Sequence, residues 1–518
     1  MSDEAITTPK RLIHNTVFNV ATLVTNAVIG FFLIRFFIGH LGTARYGVWV
    51  LFGGAVFRYG GMLTMGLNSS VNRYIPLYLA KDNNEGVQRV INTTLFFYSA
   101  VSILLVAASL VIHYNVANWF EQISPELVRT AEVLVLVMGF CAALAMPLQL
   151  SSAVLSGLQR YGIINLTMLI MLLTRTVLLV VLLWRGYGLL TMGAVLATSE
   201  IVVRVLQTIF ARKLLSQFVL SPRKIDFRLL REMLAYGINT FLYMGGAFII
   251  LQASNIIIGM FIGDREISQF QAAAAGVVLL SQFLYAFTGA IKPAVSDLDA
   301  RDDEWRVKEI AFLTQKYSLL MIIPAGCFFV AMGRQFLWIW VGGTSEDLNP
   351  TTISTMGVIL TILAVGHCLR LAQHSNFLVL VGRGQHRIFG ILMALTAVLC
   401  VSASVVSVKV FNLGLVAIAW SNCLPMVLIS GVILPIYFNW TMKISAWESV
   451  RRVWWPALLG GLPSVVLISV WKYMSVPDSW AEIFAVVFLT MAVTLVSCWF
   501  LSLEAIERRR LVHIVLRK

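Results

Sequence analysis

Charge is what this sequence has least of: 12% of its 518 residues are Asp, Glu, Lys or Arg, against 59% that are hydrophobic. A soluble domain carries about 25% charged residues. A chain this long with half that share cannot cover a globule with polar surface, so lipid is the solvent for most of it. Cysteine offers no chemistry. Cys141, Cys327, Cys368, Cys400, Cys423 and Cys498 all lie inside apolar segments, without metal-ligand spacing, and read as small buried hydrophobes rather than a disulfide framework or zinc site. No segment is low-complexity, and no linker is long enough to separate soluble domains. The G-x-x-x-x-G-K-[ST] phosphate loop does not occur, so ATP hydrolysis is not expected, and neither is any cofactor. The net charge of +14 has the sign for nucleic acid. In a membrane chain its commoner source is Lys and Arg kept on the cytoplasmic side, and no nucleic-acid partner is expected.

What is present is length and apolar runs. A bilayer core needs roughly 20 apolar residues per helix. Reading along the chain gives fourteen spans, near 12–40, 46–70, 90–113, 128–156, 161–184, 188–211 and 230–262, then 266–295, 308–332, 351–381, 387–408, 413–438, 452–472 and 480–502. The polar Met1–Arg11 segment leads into an apolar stretch longer than the roughly 7–15 residues of a signal peptide's core, so span 1 is expected to be retained. Polar or glycine clusters such as 81–86 and 342–347 separate the spans. The end segments and even-numbered loops hold 25 Lys and Arg residues, and the other loops hold Arg45, Arg185, Arg265, Arg334, Lys409 and Lys472. The positive-inside rule therefore puts both termini in the cytoplasm. The expected class is all-α, a polytopic protein of a bacterial inner membrane.

The chain also repeats itself. Phe37-Ile38-Gly39 returns as Phe261-Ile262-Gly263, and Gln149-Leu150-Ser151 as Gln373-His374-Ser375, both 224 residues later. Gly157-Leu158-Gln159-Arg160 leaves span 4 as Gly384-Gln385-His386-Arg387 leaves span 10, and Gly188-Leu189 matches Gly414-Leu415. Weak self-similarity between halves is the mark of transporter repeats. Six spans per copy is an even number, so both copies cross the membrane in the same direction, as a parallel pseudo-twofold repeat. The division expected is an N-lobe of residues 1–228 (spans 1–6), a C-lobe of 229–440 (spans 7–12), and 441–518 with spans 13–14 and a basic cytoplasmic tail. Two such bundles suit a central cavity worked by alternating access.

Here a resemblance becomes specific. Phe37-Ile38-Gly39-His40-Leu41-Gly42 followed by Ala44-Arg45-Tyr46-Gly47-Val48-Trp49, with Gly66-Leu67 and Gly157-Leu158-Gln159-Arg160, resembles the polysaccharide transporters. These are the lipid-linked oligosaccharide (O-antigen) flippases of the multidrug/oligosaccharidyl-lipid/polysaccharide exporter superfamily. The resemblance implies two six-helix lobes with two extra helices. It also implies a polyprenyl-diphosphate-linked glycan as cargo, carried from the cytoplasmic to the outer leaflet for O-antigen, capsule or exopolysaccharide assembly. Membrane lipids and a glycan polymerase or export machinery are the partners it implies.

Ionisable residues inside spans are costly and are functional candidates by default. Arg58 lies near the middle of span 2 beside Tyr59, and His367, Arg370 and His374 share one face of span 10. Arg35 is in the outer third of span 1 and Lys292 in the inner quarter of span 8. These six form the expected cationic, substrate-binding cavity. Arg58 and Arg370 carry it best, having no acid at similar depth on an adjoining segment. Arg35 and Lys292 have stems long enough to snorkel instead, and the histidines could simply bond between helices. Arg175, Glu200 and Arg204 form a structural ion cluster or a coupling site. Gln252, Asn255 and Gln282 would add polar lining or helix–helix glue. A cavity of this sign attracts anions, and Arg can hold phosphate oxygens bidentately.

Three alternatives stay open. A lipid-linked peptidoglycan precursor flippase shares the cargo chemistry. A cation or drug antiporter of the same superfamily would need an intramembrane carboxylate, and span 1 offers Asn15, Asn19, Asn26 and Arg35 instead. A membrane glycan polymerase or ligase would need a sizeable outside loop with catalytic residues, which the loops near 114–127 and 333–350 do not supply.

Overall fold

The computed structural model describes residues 9–54, 62–64, 66–219, 221–289, 291–475, 477–504 and 507–509, with side chains from residue 25 onward. Among them the chain is helical, because in lipid every backbone N–H and C=O has to be paired within the segment. Twelve helical segments among the described residues are long and apolar enough to cross a membrane. Each corresponds to one of spans 3–14, from Asn84–Trp119 to Trp480–Ser502. Span 1 is α1 (Pro9–Leu41). Span 2 is only partly described, as α2 (Thr43–Val48) running into a π-helical turn at Trp49–Gly54; α3 (Leu67–Leu79) starts in its last residues and continues past its expected end at 70.

Then follow α4 (Asn84–Trp119), α5 (Pro125–Gly157), α6 (Tyr161–Trp184), α7 (Leu189–Leu214) and α8 (Phe227–Phe261). Span 8 is broken into α9 (Asp264–Thr288) and α10 (Ile291–Asp299), and α11 (Glu304–Val341) follows unbroken. Span 10 is broken at Gln373 into α12 (Pro350–Ala372) and α13 (His374–Gly382). The remainder are α14 (Arg387–Lys409), α15 (Leu415–Leu428), α16 (Leu434–Thr441), α17 (Ala446–Ser449), α18 (Trp455–Met474) and α19 (Trp480–Ser497). Helix starts are capped as their sequences dictate. The side chains of Asn83, Asp226, Asp303, Asn349, Ser445 and Ser479 each accept from a backbone N–H of the first turn, worth about 1 kcal/mol each.

The chain divides into two compact units, Met1–Ser268 and Gln269–Lys518. In the first, Leu67, Val71 and Ile75 of α3 join Val87, Val90 and Tyr98 of α4, Met146 and Leu150 of α5, and Leu229 and Met233 of α8 in one buried core. The seam between α3 and α8 is closed at backbone level. Gly66 has φ +75°, and a Cβ there would strike the Gly237 carbonyl, while Ser70 Oγ donates to the Met233 carbonyl at 2.6 Å. Near the other end of α8, a Cβ on Gly47 would collide with the Asp264 carbonyl, and Asp264 accepts from Ser124 N at 3.0 Å. Compactness thus places α8 in the first unit, although the sequence repeat counts it as the counterpart of α1.

In the second unit α18 and α19 are joined by small residues. Ser464 Oγ and Thr494 Oγ1 lie 2.7 Å apart, and Ser502 Oγ donates to the Pro456 carbonyl at 2.6 Å. The pair is fastened to α11 by ion pairs from Arg452 to Glu309 and from Lys316 to Glu507.

The repeat is written in backbone conformation as well as in sequence. Left-handed residues recur at matching turns: Asp82 (φ 49°) and Asp302 (φ 54°), Gln159 (φ 55°) and Gly384 (φ 70°), Gly186 (φ 85°) and Asn412 (φ 52°). Gly188 and Gly414 cap α7 and α15 with nearly the same dihedrals, φ −99°, ψ −163° and φ −84°, ψ −162°.

Candidate functional site

The residues expected to line a cationic site fall into three groups. Arg58 and Tyr59 lie outside the described residues. Arg35 is half-buried on α1, and Lys292 is exposed at the second position of α10. Burial first, and then the Lys292 charge, lower the pKa of His386 in the turn after α13 below its ordinary value.

The third group is brought together. Arg370 is 1% exposed, near the end of α12, among the largest fully buried side chains of the protein. Its Nε lies 3.4 Å from His367 Nδ1 on the preceding turn, and its Nη1 lies 3.4 Å from the Tyr285 hydroxyl of α9. His374, just past the break, has its ring 4.5 Å from the Tyr285 ring, centroid to centroid. Tyr285 of α9 thus meets both Arg370 and His374. An i, i+3, i+7 pattern shows which residues share a face, but not which residue of another helix meets it.

The break between α12 and α13 adds polar groups that the charged residues alone did not flag. Gln373, Ser375 and Asn376 are all buried. Asn376 Nδ2 donates to Gln373 Oε1 at 3.0 Å. Gln373 Nε2, Ser375 Oγ and Asn376 Oδ1 have no hydrogen-bond partner among the described residues. Gln282 Oε1, one turn before Tyr285 on α9, is in the same condition. Buried polar groups are almost always satisfied, so four such atoms around one helix break and one helix turn call for water or a ligand.

The acid-bearing group in the first unit is organised differently. Arg204 clasps Glu200 at 2.6 Å, reaches Gln207 at 3.4 Å, and Gln207 Nε2 donates to Thr167 Oγ1 of α6 at 3.1 Å. Arg175 is half-buried on α6, makes no ion pair within 4 Å among the described residues, and interacts with Glu200 through charge at longer range. Gln252 and Asn255 of α8 are both buried, with Asn255 Nδ2 3.5 Å from Gln252 Oε1.

One buried charge lies beyond what the sequence pattern revealed. Lys316 of α11 donates to both carboxylate oxygens of Glu507, at 2.7 and 2.9 Å, with 4% of its side chain exposed. Its partner is 191 residues away, in the tail, so only the presence of a lysine inside span 9 could have signalled it. Among the described residues no group of three His, Cys, Asp or Glu could hold a metal ion.

Residues 78–345 match a family model described as "Polysaccharide biosynthesis protein". No curated protein matches the sequence significantly. Among solved structures, the fold is similar to the Lipid II flippase MurJ in an inward closed conformation, at 13% identity and a TM-score of 0.65, over 93% of this chain and 97% of that one. It is similar to an inward-facing multidrug resistance MATE family transporter of the MOP superfamily, at 15% identity and a TM-score of 0.62, over 83% and 94%. A MOP superfamily transporter from Pyrococcus furiosus, described by the reverse polarity of its binding pocket, is similar at 14% identity and a TM-score of 0.57, over 84% and 95%.

Proposed function

Because this chain belongs to the polysaccharide biosynthesis family, a transporter-type family of multi-pass membrane proteins with the MOP-superfamily fold, we propose that it is a flippase for polyprenyl-diphosphate-linked oligosaccharide. It carries the headgroup from the cytoplasmic to the outer leaflet of the inner membrane by alternating access, with both termini in the cytoplasm. The grouping of spans as six, six and two (1–228, 229–440, 441–518) is part of the same proposal. One observation carries it: a guanidinium buried in span 10 and surrounded by His367, His374 and Tyr285. A buried cation of this kind complements a diphosphate, which arginine can grip through two oxygens at once. The Lipid II flippase shares the fold at 13% identity, and a lipid-linked glycan suits the family description as well.

Within this reading Arg370 binds phosphate, His367 and His374 flank it, and Arg58, Arg35 and Lys292 extend the positive lining. Glu200 is held by Arg204, which supports a structural role for that cluster, with Arg175, in the first unit.

The test is native mass spectrometry of the protein purified from its own membrane. Wild type retains a polyprenyl-diphosphate glycan, and Arg370→Ala retains about tenfold less or lower, the loss of one or two charge-assisted hydrogen bonds. Retention of a cationic amphiphile by wild type would instead establish the antiporter.

A further inference from the structure

The open groups at the break in span 10 differ in kind from Arg370. A guanidinium only donates, and a phosphate diester only accepts, so those two satisfy one another. Gln373 and Asn376 are joined head to tail, the Asn376 amide N–H on the Gln373 carbonyl at 3.0 Å. That bond leaves one amide donor, Gln373 Nε2, and one amide acceptor, Asn376 Oδ1, without partners among the described residues. Ser375 Oγ, which can do both, is fully buried and open as well. A phosphate can accept from Gln373 Nε2, but it has no hydrogen to give Asn376 Oδ1. A sugar does. Vicinal hydroxyls, or the N–H and C=O of an acetamido group, present a donor and an acceptor side by side, the complement of this amide pair.

Gln373 and His374 follow Arg370 by three and four residues, which in a helix places them beside it on one face. His374 and Arg370 both meet Tyr285 of α9, whose neighbour one turn back, Gln282, has an open carbonyl oxygen too. These groups lie beside the interruption of the helix at Gln373 and are buried in the present conformation.

We propose that Gln373, Ser375 and Asn376 form a sugar-reading subsite, recognising the hydroxyl or acetamido groups of the residue linked to the diphosphate at Arg370. The assignment rests on the flippase reading above, and the subsite is what discriminates a glycosylated lipid diphosphate from a bare one.

The experiment compares two probes on the full-length protein in nanodiscs, farnesyl diphosphate and farnesyl-diphosphate-N-acetylglucosamine, by titration calorimetry. Wild type binds the sugar-bearing probe the more tightly. Gln373→Met with Asn376→Leu lowers affinity for the sugar-bearing probe by about tenfold, two hydrogen bonds' worth, and leaves farnesyl diphosphate unchanged. Arg370→Gln weakens both probes alike. Equal binding of the two probes by wild type overturns the subsite, and so does a double variant that changes neither probe, in which case the amides hold water only. A double variant that weakens both probes equally overturns it too, since the amides then shape the helix rather than read the sugar; Ser375→Ala, which removes one oxygen and little volume, checks this without disturbing the break. If wild type binds neither probe, the flippase reading itself fails, and the subsite with it.

Discussion

Matched positions in spans 4 and 10 have opposite fates. Ala143, Met146 and Leu150 of α5 belong to the buried core of the first unit. Two hundred and twenty-four residues on stand His367, Arg370 and His374. Ser151, which the repeat pairs with Ser375, shares a 2.8 Å hydrogen bond with Thr208 of α7, whereas Ser375 Oγ has no partner among the described residues. The α5 helix runs unbroken to Gly157, and its counterpart stops at Ala372 and restarts at His374. The first unit's charged residues, in turn, occupy positions that are neutral in the second: Arg175 answers to Cys400, and Glu200 and Arg204 to Met426 and Ser430. One scaffold has therefore been used in two ways. Where polar groups close on one another, as from Glu200 through Arg204 and Gln207 to Thr167, they hold helices together. Where they are left open, as at Gln373, Ser375 and Asn376, they have no hydrogen-bond partner among the described residues.

The largest expected effect tests whether closed networks are structural. Lys316 and Glu507 are both well buried, at 4% and 15% side-chain exposure. Replacing one partner strands the other charge, at a cost of about 3–5 kcal/mol. Lys316→Met should therefore lower the thermal midpoint in detergent steeply, and Lys316→Met with Glu507→Met should recover most of the loss. Recovery absent from the double variant would mean that the lysine acts beyond its ion pair.

A smaller effect separates the two units directly. Arg204→Ala breaks a pair that is partly exposed, at 13% and 27%, and should cost about 2–3 kcal/mol of stability, below the range for fully buried pairs. Surface polysaccharide per folded molecule should be unchanged. Arg370→Gln should do the reverse, with a thermal midpoint near wild type and surface polysaccharide reduced about tenfold or more. Measuring both quantities on both variants breaks the comparison if the two profiles coincide.

Much of this fold was legible because membrane helices advertise themselves. A run of about 20 apolar residues has few alternatives in lipid, and twelve of the expected spans reappear as helices that cover all or nearly all of each and in several cases run on past its expected ends. The shared face of His367, Arg370 and His374 was legible too, since helical periodicity needs only spacing. What spacing could not give was partnership across helices. Tyr285 reaches Arg370 from 85 residues away, and Lys316 finds Glu507 across 191. Nor do the amides at Gln373 and Asn376 stand out in sequence, because isolated amides inside spans are common helix–helix glue; their importance lies in the atoms left unpaired once the helix breaks. The packing of α8 with the first unit follows from Gly66 and Gly237 meeting backbone to backbone, and neither glycine announces its partner.

The smallest effect is the sharpest test of the comparison, because it uses one substitution at two positions that the repeat makes equivalent. Ser151→Ala removes one side of the Thr208 hydrogen bond and leaves the Thr208 hydroxyl its remaining bond to the Arg204 carbonyl at 2.7 Å. The cost should be about 1 kcal/mol, a fall of a few degrees in thermal midpoint at most. Ser375→Ala removes a hydroxyl that is buried and has no partner to lose. A buried polar group without a hydrogen bond costs free energy rather than supplying it, so this variant should be as stable as wild type or slightly more so. A clear loss of stability in Ser375→Ala, equal to that of Ser151→Ala, would mean that Ser375 is already satisfied by a tightly held water. The contrast between the closed network from Glu200 to Thr167 and the open groups at the span 10 break would then narrow to the charged residues.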